Sequence, residues 1–394
     1  MKNERLWTKD FLSVSLSGFF VFLVFYTLMA TLPIFVIDNL GQEDSKVGLV
    51  VTAFLIASVA IRPFAGIWLD TIGRRKILII SLVFFTLTTF LYPFINNFAL
   101  LLLLRFAQGI AFGLGTTATG TIVAEIVPIS RRGEGMSYYS SSMILAMVFG
   151  PYLGINLMNH FTFHILFFVC GFFAIISLIF GLFIAIPKQT LKAKTRIKPS
   201  QLIERSALPI SITSAIISFG YSGIISFITL YAKKLGFVDV ASFFFIVYAV
   251  FILGSRPFTG KLFDRKGANI IVYPGIILFT IGLVVLSFST VPTIFLFSAA
   301  LIGLGYGSIV PSFQTLAINT AAPAKKGMAT ATFFMFFDVG MGIGSYVLGI
   351  VSAKTSFHIM YVITAIAVLS TTVIYYLLHD RKQRKAIDFE NAAA

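Results

Sequence analysis

The sequence predicts an all-α membrane protein in which twelve transmembrane helices form two pseudo-symmetric six-helix bundles. Three observations predict it: an apolar composition, twelve apolar segments long enough to cross a bilayer, and an internal repeat. Of the 394 residues, 58% are hydrophobic and 11% are charged, and the mean hydropathy is +0.95. Soluble domains are about 45–50% apolar and about 25% charged, so this chain requires lipid to cover its apolar surface.

Apolar segments of roughly 18–25 residues can cross the hydrocarbon core as helices. The first one exceeds the core of a signal peptide and lacks a small-residue cleavage site, so it is predicted to be retained. The predicted spans are 11–37, 47–69, 77–95, 98–126, 135–158, 163–186, 207–232, 241–260, 269–288, 291–319, 328–352 and 356–378. The predicted domains are an N-terminal bundle (1–186), a cytoplasmic basic linker (187–206), a C-terminal bundle (207–379) and a cytoplasmic tail (380–394).

Lysine and arginine are concentrated in alternate loops. Of the 30 such residues, 23 fall on one predicted side, four on the other, and three within or beside spans. Because basic loops stay in the cytoplasm, both termini are predicted to be cytoplasmic, which requires an even number of spans. The net charge of +15 has this origin. A basic total spread over short loops on one membrane face does not indicate nucleic-acid binding.

A fixed offset of 194 residues relates the two halves. The matched sets are Arg62-Pro63-Phe64-Ala65-Gly66 with Arg256-Pro257-Phe258-Thr259-Gly260, Asp70 with Asp264, Gly73 with Gly267, Gly109 and Gly113 with Gly303 and Gly307, Thr121 with Thr315, Arg131-Arg132-Gly133 with Lys325-Lys326-Gly327, and Gly150 and Tyr152 with Gly344 and Tyr346. Six spans separate the copies, so both halves have the same orientation. This predicts an axis along the membrane normal and a substrate site between the halves near mid-membrane.

The loop from Gly66 to Lys76, Gly-Ile-Trp-Leu-Asp-Thr-Ile-Gly-Arg-Arg-Lys, resembles the signature that the major facilitator superfamily carries between its second and third helices. A degenerate copy, Gly260 to Gly267, stands where that family places it. The resemblance covers nearly the whole chain, extends to the bacterial twelve-helix drug/proton antiporter branch, and implies alternating access by rocking of the two halves. It also implies a cytoplasmic latch formed by Gly66, Asp70, Gly73, Arg74, Arg75, Gly260, Asp264 and Gly267.

The residues of this loop have an alternative interpretation. Arg74 and Arg75 can be ordinary positive-inside anchors, although simple anchoring requires neither Asp70 nor Gly73. Asp70 can pair with a neighbouring arginine or lie at a helix N-terminus, where the dipole is positive. The second copy is expected to be the weaker one, because Ala268 and Asn269 replace the paired arginines.

Three ionisable residues within spans are candidates for proton coupling. A cation inside a span costs at least about 2.5–3.5 kcal/mol, so Arg105 should face a cavity or a partner unless it snorkels outward. Arg105-x-x-Gln108-Gly109 resembles the family's fourth-helix motif, which is linked to proton coupling. Asp338 is the first choice for a protonation site, because it is the only acid well inside a span; the alternative is a carboxylate that bonds helices together. Glu125 is the second choice, and its alternative is an interfacial acid near Arg131 and Arg132.

The fifth span contains Gly150-Pro151-Tyr152-Leu153-Gly154, which resembles the motif of the drug-exporting antiporters. The match is partial, since Ala146 and Ile155 stand where glycine is usual. Small residues four apart also let helices approach closely, and Pro151 can kink the helix, whatever the direction of transport. The residues expected to line a substrate cavity in this family are Tyr26, Thr31, Gln108, Tyr139, Tyr221, Ser222, Tyr248 and Gln314.

The leading functional prediction is a proton-coupled exporter of small amphipathic molecules or drugs in the plasma membrane of a bacterium. The alternatives are a dedicated exporter of an endogenous metabolite such as a siderophore, and a proton-coupled uptake symporter. The expected partners are a small-molecule substrate, protons and the bilayer, with a functional monomer. The sequence has no phosphate-binding glycine loop, so no ATP motor is predicted. It has no Cys/His set with metal-ligand spacing, so no metal is predicted, and no other cofactor is expected. An enzyme should cluster His and acids at one membrane face, and a channel is usually symmetric with pore helices, so both are disfavoured.

Overall fold

The computed structural model describes residues 5–186, 202–237 and 240–381, and within these ranges the chain forms twelve long helices and no strand. The helices are α1 Lys9–Asp38, α2 Asp44–Thr71, α3 Arg74–Phe90, α4 Phe98–Ile126, α5 Arg132–His160, α6 Phe163–Leu182, α7 Leu208–Lys234, α8 Ala241–Lys266, α9 Asn269–Ser287, α10 Pro292–Asn319, α11 Lys326–Lys354 and α12 Phe357–Tyr375. Each lies in a segment long and apolar enough to span a membrane. The predicted all-α membrane fold is confirmed. The predicted linker lies outside the described residues over 187–201, and the predicted tail over 382–394.

The chain divides into two compact units. Unit 1 comprises Met1–Ile129, Tyr139–Glu204 and Ala322–Thr332, and unit 2 comprises Ser130–Tyr138, Arg205–Ala321 and Phe333–Ala394. The first two turns of α11 therefore belong to unit 1, and the first two turns of α5 belong to unit 2. The contacts that bind these turns are part of the candidate site.

The same helix pairs recur in both units. In unit 1, α4 packs on α2 and α3, α1 packs on α4 and α6, and α3 packs on α6. In unit 2, α10 packs on α8 and α9, α7 packs on α10 and α12, and α9 packs on α12. Each pair in unit 2 joins the helices six places later in the chain, as a duplicated six-helix element requires.

Glycines let the central pair of each unit approach closely. A β-carbon on Gly109 of α4 would lie 3.0 Å from Cβ of Ala57 on α2. In unit 2, a β-carbon on Gly303 of α10 would lie 2.6 Å from the carbonyl oxygen of Tyr248 on α8. Such contacts allow helix backbones to pack where the lipid supplies no hydrophobic driving force.

Matched glycines also end α2 and α8. Gly73 follows α2 with φ of +109°, and Gly267 follows α8 with φ of +84°. Side chains with a β-carbon rarely adopt this region, whereas glycine enters it at little cost. The sharp turns place Asp70 and Asp264, in the last two turns of their helices, at the ends joined by the basic loops.

Candidate functional site

Asp70 binds the N-terminus of α11. Its Oδ1 accepts a hydrogen bond from the Gly327 backbone N–H at 3.0 Å, and its Oδ2 accepts one from the Met328 N–H at 3.2 Å. The first N–H groups of a helix have no partner within the helix and carry partial positive charge. A carboxylate that accepts from both neutralises this end. Asp70 lies on α2 in the first half of the sequence, whereas Gly327 and Met328 lie in the second.

Asp264 repeats this contact at the N-terminus of α5. Its Oδ1 accepts from the Gly133 N–H at 2.7 Å, and its Oδ2 accepts from the Glu134 N–H at 2.9 Å. The offset of 194 residues, which matches Asp70 with Asp264 and Gly133 with Gly327, is therefore reproduced in three dimensions. We call these two contacts the carboxylate caps.

The glycines of the two signature loops allow the caps to form. A β-carbon on Gly66 would lie 2.8 Å from Cα of Met328, and one on Gly260 would lie 2.5 Å from Cα of Glu134. At these distances the neighbouring backbone would have to move. Gly66 and Gly260 therefore permit the close approach that brings each carboxylate to its helix end.

Arg74 joins Asp70 to Glu125. Its guanidinium lies 3.8 Å from the Asp70 carboxylate, forms an ion pair with Glu125, and donates to the Pro323 carbonyl at 3.4 Å. The guanidinium of Arg74 is buried, and a latch role for this residue stays a prediction. Arg75 is exposed and donates to the Leu182 carbonyl at 3.3 Å, as an anchor would. Glu125 thus has an ion pair with Arg74.

The Asp264 cap has a different set of neighbours. Arg131 pairs with Glu134 at 2.7 Å, and Arg132 donates to the side-chain oxygen of Asn319. No arginine four residues after Asp264 completes a pair like that of Asp70 and Arg74 among the described residues, because Ala268 occupies that position. The predicted difference between the two copies therefore corresponds to a difference in their ionic partners.

Arg105 lies inside unit 1 and is 1% exposed. Its Nε donates to the Val50 carbonyl at 3.3 Å, and its Nη1 donates to Oε1 of Gln108 at 2.9 Å. The guanidinium also lies over the Phe54 ring, 4.3 Å from the centroid, which is a cation–π contact. The partner that its burial requires is thus supplied by carbonyls and an aromatic face, and Arg105 does not snorkel.

The same oxygen of Gln108 accepts from Tyr92, and the amide nitrogen of Gln108 donates to Thr89 at 3.0 Å. The Tyr92 contact is 2.6 Å long. Arg105, Gln108, Tyr92 and Thr89 form a closed network that joins α3, α4 and the turn Tyr92–Phe94. Gln108 is therefore held inside unit 1 as a packing element; a role in lining a cavity stays a prediction.

Asp338 lies in the middle of α11 and is half-buried. The preceding carbonyl, of Phe337, accepts a hydrogen bond from Ser218 Oγ on α7 at 2.7 Å. Two residues later, a β-carbon on Gly340 would lie within 2.8 Å of the Ala215 carbonyl carbon. Asp338 thus belongs to the segment of α11 that packs tightly on α7, and its role in proton transfer stays a prediction.

The antiporter-like motif forms a tight seam between α5 and α1. Thr27 Oγ1 donates to the Gly150 carbonyl at 3.1 Å, and a β-carbon on Gly150 would lie 2.6 Å from Cβ of Tyr26. One turn on, a β-carbon on Gly154 would lie 2.7 Å from Cγ2 of Thr31. Pro151 lies inside α5 between the two glycines. Thr31 is fully buried and donates to the Thr27 carbonyl, so it belongs to this seam.

The remaining predicted cavity residues lie within their own units. Tyr139 is fully buried, shares a hydrogen bond of 2.7 Å with Thr119, and packs on Gly18. Ser222 bonds its own helix through the Phe219 carbonyl and lies against Gly344. Tyr221 and Tyr248 form an aromatic cluster with Tyr306, described below. Tyr26 is half-buried, and Gln314 is buried.

The sequence did not identify several of these partners. The network of Arg105 includes Tyr92 and Thr89, which stand in ordinary apolar stretches and carry no motif. Glu204, in the predicted linker, pairs with Lys325 at 3.1 Å and donates through its backbone N–H to Thr332. The repeat did mark Arg62 and Arg256, although it indicated nothing about their surroundings.

The structure is that of a polytopic membrane protein built from two copies of a six-helix element, as many transporters are. It has twelve helices able to span a membrane, duplicated helix pairs and two matched carboxylate caps. The family model described as Major Facilitator Superfamily matches residues 14–288 and 270–393. The chain belongs to this superfamily and is accordingly a transporter, not an enzyme.

Named relatives span most of the chain. The Multidrug resistance protein MdtG of Klebsiella pneumoniae is 26% identical over 93% of this chain and 92% of its own. The Staphylopine export protein of Staphylococcus aureus is 22% identical over 90% of this chain and 93% of its own. The crystal structure of the human organic anion transporter MFSD10 matches the fold with a TM-score of 0.80 at 15% identity, covering 93% of this chain and 99% of that one.

Proposed function

We propose that this transporter is a proton-coupled antiporter that exports small amphipathic molecules or drugs by alternating access. The proposal depends most on the carboxylate caps. Each connects a helix of one half of the sequence to the first turn of a helix of the other half, through two backbone N–H groups. Hydrogen bonds of this kind, to a charged group, contribute about 1.5–3 kcal/mol each. This is small enough to be broken and reformed in every transport cycle.

Two features support outward transport. The seam of Gly150 and Gly154 against α1 has the composition of the motif found in drug-exporting antiporters. The relatives named for multidrug resistance and for staphylopine export are similar to this chain over nine-tenths of its length. The protein is proposed to work in the bacterial plasma membrane as a monomer, and the distribution of lysine and arginine favours both termini in the cytoplasm.

Protons entering the cell would supply the energy. One charge moving down the membrane potential yields about 2.3 kcal/mol per 100 mV. Asp338 is proposed to carry the proton, because a carboxylate on a tightly packed helix is stabilised by protonation while it is away from water. Glu125 is the second candidate: it shares Arg74 with Asp70, so its protonation would free Arg74 to pair with the cap. Arg105 is proposed to hold α2, α3 and α4 together while these carboxylates change charge.

A second candidate is the export of one endogenous metabolite such as a siderophore. The similarity to the staphylopine exporter favours it, at an identity close to that of the multidrug relative. The two candidates differ in selectivity: a drug exporter should move chemically unrelated dyes, whereas a metabolite exporter should move few of them.

Flux in proteoliposomes tests the proposal. The purified chain is reconstituted, a pH gradient is imposed, and transport of rhodamine 6G, ethidium, fluorescein and iron chelators is followed. Substrate is expected to move against the proton flow. Asp338→Asn should lower the rate of gradient-driven transport by about tenfold or more, while substrate exchange without a gradient continues.

Asp10→Asn is the matched control, since Asp10 lies in the first turn of α1 and accepts from the Ala185 N–H at 2.8 Å. Full gradient-driven transport by Asp338→Asn would remove Asp338 as the proton site, and Glu125→Gln would then be tested. If no compound moves in the direction opposite to the proton flow, the antiport proposal fails.

A further inference from the structure

The repeat brings one buried arginine into each unit, and the two have different surroundings. Arg62 on α2 and Arg256 on α8 are matched by the offset of 194 residues and are 3% and 2% exposed. Arg62 lies on α2, which packs on α4, and Arg256 lies on α8, which packs on α10; residues 55 positions apart lie opposite each other in both pairs. A β-carbon on Gly109 or Gly303 would meet the backbone of Phe54 or Tyr248, and in both pairs the partner lies 55 positions earlier in the chain.

In unit 1 the guanidinium is satisfied. Nη1 of Arg62 donates to Thr116 Oγ1 at 3.3 Å and to Thr117 Oγ1 at 3.2 Å, both on α4. Thr117 is the residue that the register of 55 places opposite Arg62. The positive charge is therefore surrounded by hydroxyl oxygens that belong to the protein.

In unit 2 those hydroxyls are missing. The positions matched with Thr116 and Thr117 are Val310 and Pro311, and neither side chain can accept a hydrogen bond. Nε and Nη1 of Arg256 have no hydrogen-bond partner among the described residues, although both are buried. Buried donor groups without an acceptor are unfavourable. The second copy therefore has the arginine without the hydroxyls that accept from it in the first copy.

The other substitutions in the second copy also add polar groups. Phe54 and Phe112, whose rings lie 5.1 Å apart with their planes tilted by 54° in unit 1, correspond to Tyr248 and Tyr306 in unit 2. Tyr221 lies 4.1 Å from Tyr306 and 6.2 Å from Tyr248, measured between ring centroids. The hydroxyls of Tyr248 and Tyr306 lie within electrostatic range of the Arg256 guanidinium.

Gln314 is a further addition. It replaces Gly120 of the first copy and lies one turn beyond Val310 on α10. Its amide nitrogen is buried and has no hydrogen-bond partner within the described part of the chain. Unit 2 thus contains two buried donor groups, one charged and one neutral, on the two helices that carry Tyr248 and Tyr306.

We propose that Arg256, with Gln314 and the tyrosines 221, 248 and 306, forms a subsite in unit 2 for the anionic group of an amphipathic aromatic solute. A carboxylate or sulfonate would accept from the guanidinium, and the flat body of the solute would pack on the tyrosine rings. The subsite adds a substrate class to the transport proposal. It rests on that proposal in one respect: the solute that binds here is taken to be the solute that is transported.

Thermal unfolding of the detergent-solubilised chain tests binding without any gradient or flux. Fluorescein, an aromatic carboxylate, is compared with rhodamine 6G, a cationic ester built on the same xanthene core. The unfolding temperature should rise with fluorescein concentration. In Arg256→Gln the affinity for fluorescein should fall by at least about tenfold, because its anionic group loses a charged donor. Arg62→Gln is the matched control and should bind fluorescein as the wild type does.

A second variant separates binding from folding. Val310→Thr with Pro311→Thr restores the hydroxyls of unit 1 and keeps Arg256. It should be as stable as the wild type and should lose fluorescein binding, because the guanidinium then has partners of its own. The unliganded Arg256→Gln protein should unfold at or above the wild-type temperature, whereas unliganded Arg62→Gln should unfold below it.

Phosphatidylglycerol is added in a separate arm, since a lipid headgroup also carries an anion. Stabilisation by this lipid with none by fluorescein would overturn the assignment to a solute. Equal fluorescein binding by the wild type and Arg256→Gln would overturn the subsite itself. If fluorescein binds through Arg256 but no compound moves against a proton gradient, the subsite stands and the antiport proposal fails.

Discussion

At the residue scale, identical side chains take different roles according to the groups they meet. Asp70 and Asp264 both cap helices, yet only Asp70 has an arginine four residues later. The sequence was sufficient to select these two carboxylates, because a repeated motif with its glycines marks them. It was insufficient to identify their partners: the repeat also matches Gly133 with Gly327, but a backbone N–H is present in every residue except proline and does not indicate what it binds.

Arg105 illustrates the same limit and carries the first prediction. Its partners are a carbonyl, an amide oxygen and a ring, none of which the sequence pattern indicates. Arg105→Lys keeps the charge but cannot make both hydrogen bonds from a planar fork. The variant should lose about 1.5–3 kcal/mol of unfolding free energy, the contribution of a hydrogen bond to a charged group.

Thermal and denaturant unfolding in detergent measure this loss. Arg75→Lys is the control, since Arg75 is exposed and makes one contact, to the Leu182 carbonyl. An Arg105→Lys protein as stable as the wild type would show that the network around Gln108 contributes nothing to the fold.

At the element scale, the number, order and approximate bounds of the helices followed from apolar length alone. The differences lie at the ends. α5 begins at Arg132, whereas its apolar segment starts at 135, because the Asp264 carboxylate caps the preceding N–H groups. α6 ends at Leu182, four residues before the predicted end of the sixth span. A contact distant in sequence thus sets the start of α5, and hydropathy does not record it.

Helix contacts through glycine carry the second prediction. In Gly109→Ala the added carbon would lie 3.0 Å from Cβ of Ala57, so α4 and α2 must separate. Overpacking of this kind costs about 1–3 kcal/mol, and the unfolding temperature should fall. Gly342→Ala is the control: it lies within α11 with nothing near its β-position, and alanine favours the helix by about 1 kcal/mol. Equal stability of the two variants would contradict a glycine-dependent contact.

At the scale of the whole molecule, the distribution of basic residues predicts the orientation in the membrane. The lone cysteine, Cys170, is buried, so Cys170→Ala provides a background for labelling. A cysteine introduced at Ile129, which is 79% exposed, should react with an impermeant maleimide only from the cytoplasmic side. One introduced at Phe161, which is 53% exposed, should react from outside. The reverse pattern in intact cells would place both termini outside.

The two caps supply the last prediction. The Asp70 cap connects α2 to α11, and the Asp264 cap connects α8 to α5, so each cap holds a different pair of helices. Asp70→Asn and Asp264→Asn each weaken a charge–dipole contact worth about 1 kcal/mol, which corresponds to a change of about fivefold in an equilibrium constant. Asp70→Asn should have the larger effect, because it also leaves Arg74 with Glu125 as its remaining carboxylate partner.

If one intact cap is enough to keep the transporter from opening, weakening only the other cap has less than its full effect on the exchange rate. The double variant should then change the rate of dye exchange in proteoliposomes by more than the product of the two single effects. If each cap opens independently, the free-energy changes of distant sites with no shared partner should add, and the double variant should equal that product. Exchange rates of the two single variants and the double variant therefore decide whether the duplicated motif works as one latch or as two.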